Sequence, residues 1–281
     1  MRLFRNRSFG PALFQAGQSP VRSFGLIQGY TSFASALFDR LSVKPSNSRL
    51  NKMNTLFRSL ENHGIIEHMD ALYLMVAHNE QAACLNWIQD AYDLTPMNGP
   101  TFAVDQGYTG NGSSTYLDTG FNPATAVGAK FSQNSGHLSV WSNTSAQGSG
   151  NQVEIGNANS TIQCRNNLNE ARHRLNSGTS GGVGDITEGK GLYVTSRTGP
   201  LSSDNKLYKN GELILSDSSL SQAPDSSSIF ILGRTGSLQA TSYSSRQVSV
   251  ASIGGGLTQQ QVIDFSTALS IYTLRMFLTI R

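Results

Sequence analysis

The sequence predicts a mainly β fold, a jelly-roll sandwich preceded by a small helical region and an extended N-terminal arm. Three observations carry that expectation. From Thr101 onward, short apolar or alternating runs recur between Gly, Asn and Ser clusters, with turn signals about every ten residues. Charged residues are only 14% of the chain against 38% hydrophobic and 9% aromatic, which is enough apolar material for a packed core under a polar, weakly charged surface. Asn210-Gly211 sits between two strand-like runs, 206–209 and 212–215, and its residues accept the positive φ angles of a tight hairpin.

Each segment follows from its own residues. Residues 1–45 read as a basic assembly arm, because Gly10, Pro11, Gly17, Pro20, Gly25 and Gly29 break any period. Large apolar side chains without a local core need pockets elsewhere, so the candidate anchoring residues are Arg2, Phe4, Arg5, Arg7, Phe9, Phe14, Arg22 and Phe24. A short helix is expected over 30–41, ended by Lys44-Pro45.

Residues 46–92 read as a helical adaptor. Ser46 or Asn47 caps a helix whose apolar face is Leu50, Met53, Leu56, Phe57 and Leu60, and His63-Gly64 ends it. Residues 66–77 show a further helical pattern, and Asn79 caps a short helix through Leu85. Turn chemistry at 93–96 and 98–100 then opens the sandwich, 93–281. Its expected strands include 114–117, 126–131, 137–142, 152–156, 161–164, 171–175, 191–196, 228–233 and 245–253. Thr258 caps a helix over 259–269, and 271–280 closes the chain as a strand or a helix.

Charge is unevenly placed. Nine of the 21 Lys and Arg but one of the 18 acids fall in residues 1–58, so that segment carries +8 and the remainder −5. A basic arm on a mildly acidic body implies docking on an acidic surface, and interleaved Phe and Leu favour protein over nucleic acid. The first 38 residues hold no acid, a composition shared with mitochondrial transit peptides; an arm held by neighbouring subunits is the preferred reading. Cys84 falls in a helical pattern and Cys164 in a strand pattern, so no disulfide is expected. The five histidines show no metal-ligand spacing. No apolar run approaches the roughly 20 residues needed to span a bilayer.

Three pieces resemble a known family. Leu207-Tyr208-Lys209-Asn210-Gly211-Glu212-Leu213 resembles the hairpin of concanavalin A-like and laminin G-like domains. Ile229-Phe230-Ile231-Leu232-Gly233-Arg234 resembles the core strand that follows it, and 248–258 the strand and Leu-Thr turn before a short helix. A second resemblance, carried by Asp70-Ala71-Leu72-Tyr73, Leu85-Asn86-Trp87-Ile88 and residues 107–123, is to tailed-bacteriophage virion proteins in which a helical segment precedes such a domain. That resemblance implies a fibre, decoration, collar or minor structural protein of the virion. Its implied partners are other virion proteins and further copies of the chain; host-surface glycan is the alternative target.

Catalysis is not expected. Retaining glycosidases need two carboxylates about 5 Å apart, and in glucanases of this fold they alternate along one strand. No two acids after residue 100 lie two apart on a strand-like run; Asp185 and Glu188 come closest, in a Gly-rich loop. No cofactor is expected either. The resemblance admits calcium, for which Asp118, Asn122, Asp204 and Asn205 are chemically suitable, although turn-forming Asp and Asn is the plainer reading. Sugar binding needs an aromatic platform beside hydrogen-bonding side chains, which makes Trp141, Tyr193 and Tyr243 the candidate glycan contacts, with Tyr208 also available. The arginines Arg165, Arg172 and Arg174 suit an anionic sugar or a neighbouring subunit.

Overall fold

A computed structural model describes residues 29–217, 219–236 and 239–277; the anchoring residues expected between Arg2 and Phe24 lie outside the described residues. Side-chain caps open the helices, at Ser46, Asn79 and Thr258 as expected and at Thr31 in addition. Thr31 Oγ1 accepts from the Ala34 amide at the head of α1 (Ser32–Arg40), Ser46 Oγ from Arg49 at α2 (Asn47–Asn62), and Asn79 Oδ1 from Ala82 at α3 (Glu80–Cys84). At α4 (Gln259–Phe277) the exchange is reciprocal: Thr258 Oγ1 accepts from the Gln261 amide at 3.3 Å, and Gln261 Oε1 from the Thr258 amide at 3.0 Å. This helix runs on past Leu269, so residues 271–277 continue it rather than form a strand.

The strands in chain order are β1 (Met69–Leu74), β2 (Thr95–Met97), β3 (Thr101–Ala103), β4 (Gly107–Thr109), β5 (Tyr116–Asp118) and β6 (Gly136–Ser142). Then come β7 (Ile155–Gly156), β8 (Thr161–Gln163), β9 (Ala171–Arg174), β10 (Gly181–Val183), β11 (Gly191–Arg197) and β12 (Asn205–Lys209). β13 (Glu212–Ser216), β14 (Phe230–Ile231), β15 (Arg234–Gly236), β16 (Gln239–Thr241) and β17 (Gln247–Gly254) complete the set. They build two large antiparallel sheets. The first runs β13-β12-β11-β6-β17-β4-β3 with β1 also on β17, the second runs β10-β9-β8-β7-β14-β5-β2, and β15–β16 forms a separate ribbon. The hairpin at Asn210-Gly211 is present, with φ of 52° and 88° as a type I′ turn requires.

Alternation along the strands places every layer. Leu138, Val140, Tyr193, Thr195, Ala251 and Ile253 share one face of the first sheet and are fully buried against the second. The other face carries Leu192, Val194, Val250 and Trp141 toward the helices. Phe57, Trp87 and Tyr272 stack in series there, with ring centroids 5.3 and 5.8 Å apart, and join α2 to α4. The molecule is therefore three layers: helices, first sheet, second sheet.

Two expectations change. Residues 69–74, read as helical, form β1, because all six are buried on both faces between helices and second sheet. A continuous apolar run of that length has no periodicity to separate strand from helix. Residues 126–131, read as a strand, form a turn whose Lys130 and Phe131 amides are taken by the buried Asp70 carboxylate at 2.7 and 2.8 Å. In addition, α1 lies within the segment read as an arm, yet its Leu37 and Phe38 are buried in the helical layer.

Two histidines lie wholly inside. His137 is bonded to the Gly255 carbonyl and Ser252 Oγ, and His173 to Thr195 Oγ1. Burial lowers both imidazoles from 6.5 to about 4; Gly255 partly offsets this for His137, and Asp217 does so for His173. A base whose folded pKa is depressed leaves the unfolded chain binding protons more tightly, so stability is complete above pH 6.5 and is lost as pH falls toward 4. The loss is at most about 3 kcal/mol per imidazole. His137→Asn should flatten the fall of Tm between pH 6.5 and 4.5 in thermal scans. Parallel curves for the variant and the natural chain contradict this assignment.

Candidate functional site

The second sheet presents an arginine-lined cleft on its outer face. Along β9, Ala171 and His173 turn inward and are buried, so Arg172 and Arg174 turn outward. Pairing with β8 sets Gln163 opposite Arg172 and Thr161 opposite Arg174. One strand further, Gly156 lies opposite Thr161 and leaves no side chain on that row. The β15–β16 ribbon brings the third arginine, Arg234, whose Nε donates to Ser242 Oγ at 3.3 Å. Arg174 and Arg234 converge on one acceptor, the Ala158 carbonyl, at 3.0 and 3.5 Å from their Nη1 atoms. That carbonyl sits in a turn closed by Asn157, whose amide donates to Ser160 O at 2.8 Å and whose Oδ1 accepts from Ser160 N at 3.0 Å.

The cleft encloses about 200 Å³, and Asn151, Gln163, Ser180 and Ser242 join the three arginines around it. No carboxylate and no aromatic ring lines it. The nearest acid is Glu170, whose Oε2 stands 3.9 Å from Arg172 Nε, too far for a hydrogen bond. The Nε atoms of Arg172 and Arg174 are buried without a hydrogen-bond partner. Burial, and then the neighbouring guanidiniums of Arg234 and Arg172, push Arg174 below its usual range. Three like charges are thus held together, with Glu170, beside Arg172, the one acid paired to them among the described residues. With Nη1 of Arg174 committed to Ala158, its Nε–Nη2 edge is left as a fork, the shape that accepts a carboxylate through two parallel bonds.

The residues singled out in the sequence are spread over the molecule. Arg172 and Arg174 meet in the cleft, but Arg165 does not join them: its Nε and Nη2 bond Asn169 Oδ1 at 3.0 and 2.8 Å, and its Nη1 bonds Ser145 O. Tyr193 is fully buried between the sheets, donating to Glu188 O, so no glycan can stack on it; alternation turns it inward with Val140. Trp141 is half-buried on the helix-side face of the first sheet, opposite the arginine cleft. Tyr243 stands beside the cleft, next to Ser242, with its ring 6.2 Å from Tyr116. Asp118, Asn122 and Asp204 accept from the amides of Gly120, Ala124 and Leu201, and Asn205 bonds Asp217. Arg234 carried no signal by its own spacing. Only the ribbon brings it to β9.

No protein-family model matches the chain, and no curated protein is similar to it. Among solved structures, a mutant Trypanosoma rangeli sialidase displaying trans-sialidase activity aligns with a TM-score of 0.50 and 11% identity, covering 80% of this chain and 40% of that one. The binding domain of botulinum neurotoxin serotype D gives 0.48 at 12% identity, covering 73% and 52%. The CBM40 of the Ruminococcus gnavus IT-sialidase gives 0.40 at 14%, covering 56% and 96%. The first likeness is one of sandwich fold alone, and the two weaker ones carry no argument. The chain spans about 40% of the length of that sialidase.

Like charges held close together repel one another and destabilise the fold that gathers them. Arg174→Gln should leave the unfolding free energy unchanged or raise it by about 0.5 kcal/mol at low ionic strength, with the gain fading in high salt. A loss of stability in urea titrations would assign Arg174 a structural role instead.

Proposed function

We propose that this sandwich is a carbohydrate-recognition module that captures an acidic sugar through Arg172, Arg174 and Arg234. The single observation that carries the reading is the cluster of three guanidiniums around a cleft whose lining holds no carboxylate. Concentrated positive charge favours an anion, the Nε–Nη2 fork of Arg174 favours a planar carboxylate, and the amide and hydroxyl groups of Asn151, Gln163, Ser180 and Ser242 suit the hydroxyls of the same ring. Recognition here uses charge and hydrogen bonds rather than an aromatic platform. The sialidase of similar fold makes sialic acids the first acidic sugars to try.

The setting is a separate proposal. On the motifs at 70–73, 85–88 and 107–123 alone, the module is displayed on a tailed-phage virion, with residues 1–45 contributing attachment.

Glycan arrays followed by calorimetry in low salt test the reading. Acidic glycans should bind and their neutral counterparts should not, and Arg174→Ala should weaken binding about tenfold or more, the loss of a charge-assisted contact. Arg165→Ala should bind normally. Equal retention of neutral glycans, or an inert Arg174→Ala variant, contradicts the proposal.

A further inference from the structure

We propose a second binding site at the seam between the helical region and the sandwich, for an uncharged sugar-sized ring. The cleft there encloses about 280 Å³, with Phe33 and Tyr92 contributing accessible aromatic wall and Glu67, Gln89 and Lys130 contributing polar groups. It is independent of the arginine cleft, sharing no residue with it.

Tyr92 is the first reason to assign it. Its backbone is left-handed, at φ 61°, a conformation that an aromatic residue adopts only when its surroundings impose it. Two contacts impose it here. The Tyr73 hydroxyl donates to the Tyr92 carbonyl at 2.7 Å, and the Tyr92 ring meets Phe121 edge-to-face at 5.1 Å. Strain held in this way concentrates at ligand clamps.

The polar groups are the second reason. Gln89 Nε2 donates to the Asp70 carbonyl at 2.8 Å, which fixes the amide and leaves its Oε1 without a partner. Among the described residues, neither the Glu67 carboxylate nor the Lys130 ammonium has a hydrogen-bond or ion-pair partner, and both are exposed. The wall that bears Lys130 is pinned from below, since both Asp70 oxygens accept backbone amides there.

These features define the ligand. The lining holds the carboxylates of Glu67 and the buried Asp70 and the ammonium of Lys130, so it carries no net positive charge, unlike the arginine cleft, and selects no anion. Aromatic wall together with hydrogen-bonding groups in one cleft matches a ring with an apolar face and a hydroxylated edge, that is, a neutral pyranose. The volume is at the low end for small-molecule sites, enough for one ring and too small for a helix or an extended peptide.

Amide NMR of the full chain tests this, with the methyl glycosides of glucose, galactose and N-acetylglucosamine added singly. At least one should shift the amides of 88–92 and 126–130. Tyr92→Gly, which relieves the φ strain while removing the ring, should weaken that response about tenfold. Glu67→Gln and Lys130→Ala, both at exposed positions, should weaken it several-fold and keep the test decisive if Tyr92→Gly unfolds. Arg174→Ala should leave it intact. The proposal is overturned if none of the glycosides shifts these amides, if the response survives the Glu67 and Lys130 variants, or if only a zwitterionic amino acid elicits it.

Discussion

His173 Nδ1 is bonded to the Thr195 hydroxyl across the sandwich at 2.7 Å, and this contact decides which face of β9 looks outward. With His173 and Ala171 committed to the core, Arg172 and Arg174 have only the surface available. A register slip of one residue would drive two guanidiniums between the sheets, where each unpaired charge costs several kcal/mol. Thr161 and Gln163 on β8 then become the floor of a cleft rather than core residues. The walls follow from the same plan: bare Gly156 beyond β8, and the ribbon bringing Arg234 onto the Ala158 carbonyl.

The seam beneath the helices is held differently, by a polar network inside a hydrophobic layer. Asn86 accepts from the Leu72 and Ile88 amides and donates to the carbonyls of Asp70 and Ala91, so one buried side chain ties β1 to the loop that follows α3. Arg40 of α1 bonds the Asn86 and Gln89 carbonyls and the Asp93 carboxylate. Asp70 carries the connection on to the sandwich. Two of the sequence motifs that resemble virion proteins, 70–73 and 85–88, are therefore the residues that join the helical region to the sheets. Their pattern is accounted for by a structural joint, whatever the module is attached to.

What was legible in the sequence was local. Caps at Ser46, Asn79 and Thr258 and the turn at Asn210-Gly211 act within a few residues, so type and spacing were enough to place them. β1 was not legible, because burial on both faces erases the periodicity that distinguishes strand from helix. The candidate site was half legible. Arg172 and Arg174 share a face by period two, whereas Arg234 reaches them only through tertiary folding, and Arg165 is drawn off by Asn169. The burial of Tyr193 was not legible for the complementary reason: whether Tyr193 or Trp141 faces the core depends on sheet register, which a single strand does not disclose.

The Nε–H groups of Arg172 and Arg174, which lack hydrogen-bond partners, are the donors proposed to meet an anion. Arginine side-chain ¹⁵N NMR observes those protons directly. Titrating the natural chain with N-acetylneuraminic acid should shift the Arg172 and Arg174 Nε–H resonances and slow their exchange with water, leaving Arg165 and the Trp141 indole unmoved. Unchanged arginine resonances with a shift at Trp141 would place the ligand on the opposite face of the sandwich and contradict that proposal.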